Sequence, residues 1–503
     1  MSQQPSNASR RAFLRQLGAF SATSVAAPLG INLATVGNAA AQAANGYKAL
    51  VCIFMYGGND AYNTVLATDP ESWNHYLAMR DEIALRAPGT PPLLSAGAGS
   101  PDRLGGVLAI VPARAQGRSF ALHPVMTGAR ELFEARRLAV VANVGPLLRP
   151  TSKAQYFDDK FAKPAKLFSH NDQSSTWQAG SPEGAVAGWG GRGADLLADG
   201  NRHPVFTSIS TSGNAVWLAG NAVLQYQVTG RGAIRIGSWG NTLYGSAEAL
   251  TRMHSVMRRA RSSNLFEQDH AAVVGRSIDA ETRLAAALPA SDVAPYGTPG
   301  MNSDQDPLLK YDNPLSGQKS TNSLAQQLQI VARIIGARGA LGAQRQVFFV
   351  SMGNFDTHSD QSRMQADNMA RLSHGLRYFN DALAAMGVGN DVTAFTASDF
   401  GRTFTSNGDG TDHGWGAHHF VMGGAVRGGD LYGNFPAYSQ ADDKGNFASP
   451  NQIGNGTLLP EVSVDQYAAT LARWFGVPDG QLPELFPNLG NFGAGVRDLG
   501  FLG

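Results

Sequence analysis

Short apolar runs that alternate with helix-period segments constrain the fold of this chain more than any other feature. Each run is rich in β-branched or aromatic residues and has the length of a buried strand. Apolar residues repeat at helical spacing in segments 324–335 and 372–383. Strands that alternate with helices predict an α/β fold, with a doubly wound, mainly parallel sheet flanked by helices. The runs are 49–55, 138–144, 347–351, 392–396 and 420–422.

The N-terminus has the order of parts of a secretory signal. Arg10 and Arg11 precede a weakly apolar stretch, and small residues near Ala43 would permit cleavage after it. The arginine pair is typical of substrates of the translocase for folded proteins, so we expect residues 1–43 to be a twin-arginine signal peptide. The alternative is a disordered basic start followed by a helix. No later segment has the ~18 apolar residues of a spanning helix, so we expect a periplasmic or secreted protein without stable membrane insertion.

Residues 44–503 are predicted to form a single domain, with a proline-rich surface excursion at about 288–320 that could act as a lid. Without the signal, which holds three arginines and no acid, 37 basic and 39 acidic side chains remain. This balance gives no reason to expect a nucleic acid as a partner. The one cysteine, Cys52, excludes an intramolecular disulfide, so the hydrophobic core must hold the fold.

Acidic residues and histidines lie next to four of the predicted strands. In an open parallel sheet, ligands bind outside the carboxyl ends of the strands, so we expect these side chains to gather at one edge. Carboxylates and imidazoles together suit one or two divalent ions, among zinc, calcium, magnesium and manganese. Two such ions could clamp a phosphoryl or sulfuryl group and activate a hydroxyl or water. The candidate ligands are Asp60, Asp356, His358, Asp399, Asp412 and His413.

Each candidate ligand also has a plainer interpretation. A lone aspartate after a strand is more often a turn or helix cap than a ligand. Asp356 could cap a helix beside a neighbouring histidine, and Asp399 could form an ion pair with Arg402. His418 and His419, which follow the last motif, could simply begin a strand. Several such coincidences at successive strand ends favour a common site.

The candidate catalytic residues are Ser169, His170 and Arg402. A hydroxyl at a helix N-terminus has backbone N–H groups available for an anion, which suits Ser169 as a nucleophile. The spacing of Ser169 and Asp172 is equally that of an ordinary capping box, and both interpretations stay open. Because neighbouring side chains need not face each other, the adjacency of Ser169 and His170 does not establish a triad.

These motifs resemble a bacterial family catalogued as domain of unknown function 1501, in order and over nearly the whole mature chain. That family is grouped with the alkaline phosphatase, sulfatase and phosphoglycerate mutase superfamily. Its members share a doubly wound sheet, one or two divalent metals at the strand ends, and a Ser, Thr or modified Cys nucleophile. The resemblance rests on the twin-arginine start, 57–60, 122–124, Ser169-His170 with Asp172-Gln173, 355–358 with Gln361, 398–403, 410–414, 464–467 and 474–476.

The resemblance also implies roles for individual residues. It makes Asp60 the ligand after the first strand, Asp356 and His358 the pair of one metal, Asp399 the acid of the other, and His413 the late histidine. Phe400 stands where the superfamily commonly has a histidine, which implies that the second metal is weak or absent. The sulfatase signature around a modified Cys or Ser is missing, which argues against a formylglycine sulfatase.

The clustered residues and the resemblance together predict an exported metal-dependent hydrolase of phosphate or sulfate esters. Its nucleophile is Ser169 or a metal-activated water, and its substrate is a small-molecule or glycan anionic ester. Its partner during export is the twin-arginine translocase. The alternative, favoured by Phe400, is a non-catalytic periplasmic binding or structural protein with a degenerate site. Fold alone does not decide between them.

Overall fold

The structure is a computed structural model that describes residues 46–230, 232–235 and 242–503. The predicted signal peptide, residues 1–43, lies outside the described residues. Residues Tyr47–Gly503 form one compact unit. Within the described ranges, no helix combines the length and the apolar composition needed to cross a bilayer.

The strand Lys48–Met55 forms the middle of a ten-stranded sheet. It pairs in parallel with Arg345–Met352 on one side and with Val392–Ser398 on the other. Its side chains alternate between two core clusters, so the strand is buried on both faces, as the run 49–55 predicted. From edge to edge the sheet contains Leu431–Tyr432, Leu138–Gly145, Ala417–Gly423, Val392–Ser398, Lys48–Met55, Arg345–Met352, Ser208–Ser210, Tyr226–Thr229 and Gly232–Ala233, and Val462–Ser463 pairs with Leu138–Gly145.

Helices cover both faces of the sheet, which confirms the predicted α/β architecture with a mainly parallel sheet. The helices Ser323–Gly336 and Gln361–Ala385, predicted from their helical period, bury their apolar sides in one core cluster together with Thr127–Glu134. The opposite cluster contains residues of His170–Ala179, Trp189–Asp195 and Val464–Phe475.

The direction of the strand Ala417–Gly423 corrects one prediction. The run 420–422 is predicted as a parallel strand, but it runs antiparallel to Val392–Ser398 and to Leu138–Gly145. Residues 399–416 turn back without a helix, and Arg402 and His413 form a β-bridge within this connection. A parallel neighbour instead requires a crossover that carries the chain back across the sheet. The residues that precede Ala417–Gly423 therefore lie at the same edge of the sheet as the residues that follow Val392–Ser398.

The excursion at 288–320 is held against the helices by a buried leucine and by hydrogen bonds from helix side chains to its backbone. It contains the antiparallel pair Lys310–Asp312 and Lys319–Thr321, and Leu309 is fully buried. The carbonyl of Tyr296 accepts hydrogen bonds from Gln329 Nε2 (3.1 Å) and Tyr378 Oη (2.6 Å). Its role as a lid stays a prediction.

The other elements surround this framework. The further helices are Pro70–Arg80, Pro101–Leu104, Lys153–Phe157, Ala247–Met257, Leu265–Ala287, Arg338–Leu341 and Leu482–Leu485, and the further strands are Val65–Ala67, Leu108–Ile110, Phe120–Leu122, Gln452–Ile453 and Thr457–Leu458.

Candidate metal centre

The polar motifs meet at one edge of the sheet, as the strand-end rule predicts. Two segments follow the strands Arg345–Met352 and Val392–Ser398, and a third precedes the antiparallel strand Ala417–Gly423. The helix His170–Ala179 also begins at this edge, as shown by the contacts of its first residue, His170, with Asp399 and Asp356 in these segments.

Three of the expected ligands converge on one carboxylate oxygen. His358 Nε2 lies 3.0 Å from His413 Nε2. Asp356 Oδ1 lies 3.2 Å from His358 Nε2 and 3.4 Å from His413 Nε2. These three donor atoms therefore form a compact triangle at the strand ends.

His170 completes the cluster from the helix. Its Nε2 lies 3.5 Å from the second oxygen of Asp356, Oδ2, and this nitrogen is buried without a hydrogen bond. Ligand atoms of His170, Asp356 and His413 all lie within 4.8 Å of one another. His170, predicted as a catalytic residue, thus lies where a metal ligand would.

Acceptors on the outer side of the three rings fix which nitrogen faces inward. His413 Nδ1 lies 2.8 Å from the carbonyl oxygen of Phe168, and His358 Nδ1 lies 3.1 Å from Asp412 Oδ1. His170 Nδ1 lies 2.7 Å from Asp399 Oδ2. A carbonyl and ionised carboxylates can only accept, so each Nδ1 carries the proton. In its neutral form, each ring then directs the lone pair of Nε2 inward.

This arrangement fits a bound cation. Two lone pairs that face each other at 3.0 Å beside a carboxylate oxygen repel unless a proton or a cation lies among them. Tetrahedral zinc bonds of about 2.0–2.1 Å place neighbouring donor atoms about 3.3 Å apart. The observed separations of 3.0, 3.2 and 3.4 Å lie around that value. Outer acceptors on metal-binding imidazoles are also the usual support of such sites.

Arg402 is a buried support of the centre, paired with Asp356 instead of Asp399. Its Nη1 donates to Asp356 Oδ1 (2.8 Å) and to the carbonyl of Gly57 (3.1 Å). Its Nη2 donates to the carbonyl of Thr411, and its side chain is fully buried. These bonds hold Arg402 against Asp356, so it acts as a positioning residue for that carboxylate, and its catalytic role stays a prediction.

The charges around the centre shift the pKa values of its members in different directions. The hydrogen bond to Asp399 raises the pKa of His170. Burial is the main cause that lowers the pKa of His413, which favours its neutral ring. Burial alone would raise the pKa of Asp356, but the hydrogen bond and charge of Arg402 outweigh it and lower that pKa. Asp356 is therefore ionised at neutral pH.

A glycine turn brings the first strand into the centre. The N–H of Gly57 donates to Asp399 Oδ2 at 2.9 Å, and its carbonyl accepts from Arg402. Its φ is +114°, and a Cβ atom there would lie 2.3 Å from the backbone nitrogen of Asp356. Only glycine allows the two backbones to approach this closely.

Asp60 lies apart from the converging imidazoles. It forms a fully buried ion pair with Arg80, accepts from the Tyr62 N–H (3.1 Å) and accepts from Gln361 Nε2 (2.5 Å). Its carboxylate caps the short 3₁₀ turn that follows the first strand. These contacts account for Asp60 without a bound ion.

Ser169 is the N-cap residue of the helix His170–Ala179, but it does not form a capping box. Its hydroxyl makes no hydrogen bond to a helix N–H and instead donates to Asp172 Oδ2 at 2.7 Å. Ser169 stands between Phe168, whose carbonyl binds His413, and His170. The hydroxyl therefore has a carboxylate beside it that could accept its proton.

Phe400 occupies the position after Asp399 with a fully buried ring. The ring centroid lies 4.7 Å from the centroids of both His170 and His413. Phe400 thus gives the two imidazoles an apolar support in place of a further nitrogen donor.

Sequence reasoning left several supporting groups without a role. The carbonyl of Phe168 could not be predicted as an acceptor, because residue types do not indicate which backbone groups bind a side chain. In the structure, Phe168 has a φ of +70°, which is unusual for a residue other than glycine. Gln361 is fully buried and accepts from Thr357 Oγ1 (3.0 Å) and Thr411 Oγ1 (2.5 Å). Gln361 and Thr411 belong to the motifs that carry the family resemblance, 355–358 with Gln361 and 410–414, but these motifs did not indicate a function for either residue. His418 and His419 lie within the strand Ala417–Gly423, as their plainer interpretation predicted.

No curated protein matches the chain. Solved structures that match the chain include Ps i-CgsB, at 9% identity and a TM-score of 0.34, with the match covering 88% of this chain and 77% of that one. Another is the lipoteichoic acid synthase LtaP from Listeria monocytogenes, at 8% identity and a TM-score of 0.29, which covers 89% and 78%. The family model described as protein of unknown function (DUF1501) matches residues 47–486. With most of its length matched, the chain belongs to the DUF1501 family.

Proposed function

We propose that this protein is an exported, metal-dependent hydrolase of phosphate or sulfate esters. The observation that carries the proposal is the convergence of His170, His358, His413 and Asp356, with the hydroxyl of Ser169 next in the chain to one of them. A divalent ion held by these residues would supply positive charge to the oxygens of a phosphoryl or sulfuryl group. The substrate is a small-molecule or glycan ester that carries such an anionic group.

Ser169 and Asp172 supply the covalent step in this proposal. The Ser169 oxygen bonds to the phosphorus or sulfur atom, and the hydroxyl proton passes to the Asp172 carboxylate. The bond to the ester oxygen of the leaving group breaks, and the departing alkoxide takes a proton from water to become the alcohol. The oxygen of a water molecule then bonds to the phosphorus or sulfur atom, the bond to the Ser169 oxygen breaks, and that oxygen takes back the proton held by Asp172. The water gives its proton to the solvent, and phosphate or sulfate is released. The 2.7 Å hydrogen bond between the two side chains supports this assignment. Direct attack by an activated water is the alternative route.

A hydrolysis assay on the mature protein tests the proposal. The nitrophenyl esters of phosphate and sulfate are offered to protein that has been reloaded with zinc, manganese, magnesium or calcium. We expect Asp356→Asn to abolish hydrolysis, because Asp356 contacts all three imidazoles. Asp381→Asn is the matched control, since Asp381 is exposed and pairs with Arg377 on the helix Gln361–Ala385. Equal activity of Asp356→Asn and the control would refute the proposed site.

The second candidate function is binding without catalysis, and Phe400 favours it. Its ring fills a position beside His170 and His413 where an additional ligand would otherwise extend the centre. A protein of this kind binds an anionic ligand and a metal, but it turns over no ester with any of the four ions. Metal binding without hydrolysis of either nitrophenyl ester would favour this candidate over the enzyme.

Export through the twin-arginine route is a separate part of the proposal, supported by Arg10 and Arg11 in the sequence. Replacing both residues with lysine keeps the charge but removes the arginine pair. We expect the variant to accumulate in the cytoplasm with its signal uncleaved, whereas the unaltered chain reaches the periplasm or the medium. Unchanged export of the double variant would refute this route.

A further inference from the structure

We propose that the centre holds a single ion of the imidazole-preferring transition metals, with zinc as the best fit, and that Arg402 provides the fixed positive charge next to it. This inference rests on the proposed function, because it concerns the same residues. The sequence allows one or two ions among zinc, calcium, magnesium and manganese, and the inference specifies the class of the metal and the number of ions per chain.

The donor chemistry excludes the hard cations. Three imidazole nitrogens lie within 3.5 Å of the Asp356 carboxylate, with His358 and His413 Nε2 at Oδ1 and His170 Nε2 at Oδ2. Calcium binds six to eight oxygen ligands, and magnesium binds oxygen ligands in an octahedral arrangement. Zinc is usually four-coordinate and accepts imidazole nitrogens and carboxylate oxygens as ligands. Three histidines and an aspartate are therefore a zinc-type set.

The other two acids of the motif orient the rings. Asp399 Oδ2 accepts from His170 Nδ1 and from the Gly57 N–H. Asp412 Oδ1 accepts from His358 Nδ1 and from Asn407 Nδ2, at 3.1 Å in each case. These carboxylates hold the Nδ1 proton and leave Nε2 for the ion, which is how outer residues support zinc-bound histidines. We therefore assign the Oδ2 atom of Asp399 and the Oδ1 atom of Asp412 to positioning the rings, whereas Asp399 Oδ1 is buried without a hydrogen bond.

Charge balance sets the stoichiometry. The carboxylates of Asp356, Asp399 and Asp412 contact the imidazoles, and the guanidinium of Arg402 contacts Asp356. Their formal charges leave two negative charges, which one divalent ion neutralises. A second divalent ion would add two positive charges for which these side chains offer no further carboxylate, although Asp356 and Asp412 are about half exposed to solvent.

Arg402 is unable to leave and make room for a second ion. Its side chain is fully buried, and backbone carbonyls of Gly57 and Thr411 accept from it in addition to Asp356. The Thr411 hydroxyl also accepts from its Nε at 3.3 Å, and Gln361 holds that hydroxyl in place. The guanidinium is therefore built into the loop network as a permanent charge.

Metal titration of the mature protein tests the inference without any substrate. The protein is stripped with chelator, and zinc, calcium and magnesium are titrated separately by calorimetry, with elemental analysis of the dialysed product. We expect one zinc per chain, and binding of calcium and magnesium at least about 1,000-fold weaker. Asp399→Asn and Asp412→Asn should each weaken zinc binding about 10–100-fold while leaving the stoichiometry at one. Asp381→Asn should bind zinc as the unaltered protein does.

The possible results separate this inference from the proposed hydrolase. Two zinc ions per folded chain, or tighter binding of calcium than of zinc, would overturn the inference even if the protein hydrolyses esters. One zinc per chain in a protein without ester hydrolysis supports the inference and refutes the hydrolase. Unchanged zinc affinity in both Asp399→Asn and Asp412→Asn, with folding verified by circular dichroism, would overturn the assigned positioning roles.

Discussion

Replacing Asp60 with asparagine distinguishes a structural role for this residue from a role as a metal ligand. Asp60 and Arg80 are both fully buried, and the new amide group would direct a donor toward Arg80 or Gln361, which are donors themselves. Breaking a buried ion pair by removing one partner costs about 3–5 kcal/mol. The unfolding entropy of residues Tyr47–Gly503 near 60 °C is roughly 1 kcal/mol/K, so the melting temperature should fall by about 3–5 °C.

Differential scanning calorimetry in the presence of chelator measures this change without any contribution from bound metal. Asp102→Asn is the matched control, because the pair of Asp102 with Arg86 is solvent-exposed and its loss should leave the melting temperature unchanged. After reloading, Asp60→Asn should contain as much metal as the unaltered protein. A melting temperature within about 1 °C of the unaltered value, or loss of metal from the variant, would refute the structural assignment.

Two further predictions concern pH. Burial lowers the pKa of His418 and of His419 to about 3, so only the unfolded chain takes up these protons between about pH 6.5 and 3. The free energy of unfolding should therefore be highest above about pH 6.5 and should fall below it, by about 2 kcal/mol per histidine at pH 5. Melting temperatures that stay constant from pH 7 to 5 would contradict this prediction. Asp465 acts in the opposite sense, because burial raises its pKa to about 6 and its ionised form destabilises the protein at neutral pH. In Asp465→Asn the amide oxygen can still accept from the Asn488 N–H. The variant should add about 3 kcal/mol to the free energy of unfolding at pH 7 and nothing below about pH 4. An equal gain at both pH values would refute burial of the charged carboxylate as the cause.

The sequence carried enough information to locate the sheet, but not the direction of every strand. Strand 49–55 was found because a strand buried on both faces must be continuously apolar, and Lys48–Met55 has that pattern. Run 420–422 has the same composition and is antiparallel, because direction depends on the connection before it. The bridge between Arg402 and His413 that folds this connection back is a pairing of backbones, which no apolar pattern records.

The centre was predictable as a location and much less so as a set of roles. The strand-end rule placed Asp356, His358 and His413 together, and the structure brings their ligand atoms within 3.4 Å of each other. It also favoured Asp399 as a ligand, which stays a prediction, because Asp399 Oδ2 accepts from His170 Nδ1 while Oδ1 has no hydrogen bond. A carboxylate that binds a metal and one that supports a histidine are both aspartates in the polar motifs next to the strands, so the sequence does not distinguish them. They differ only in which atom faces the centre, and that depends on tertiary geometry.

Gly58 offers a test of whether the Phe400 ring holds the two imidazoles in place. A Cβ atom at Gly58 would lie 2.4 Å from the Phe400 ring, so Gly58→Ala must displace that ring. The ring lies against His170 and His413, and its displacement should therefore lower the affinity for zinc.

The backbone cost of Gly58→Ala has to be separated from this displacement. Gly58 has a φ of +85°, which costs an alanine about 1–2 kcal/mol wherever it occurs. Gly89→Ala is the matched control, because its φ is +83° and no atom lies within 4 Å of the added Cβ. It should lower the melting temperature without changing zinc affinity.

A double-mutant cycle then identifies the ring as the cause. In the Phe400→Ala background the clash partner is absent, so adding Gly58→Ala should cost stability through φ but reduce zinc affinity no further. Calorimetric zinc titration of the two single variants and the double variant measures the coupling. An equal loss of affinity from Gly58→Ala in both backgrounds would show that the turn acts on the centre through its backbone, and the supporting role of Phe400 would have to be abandoned.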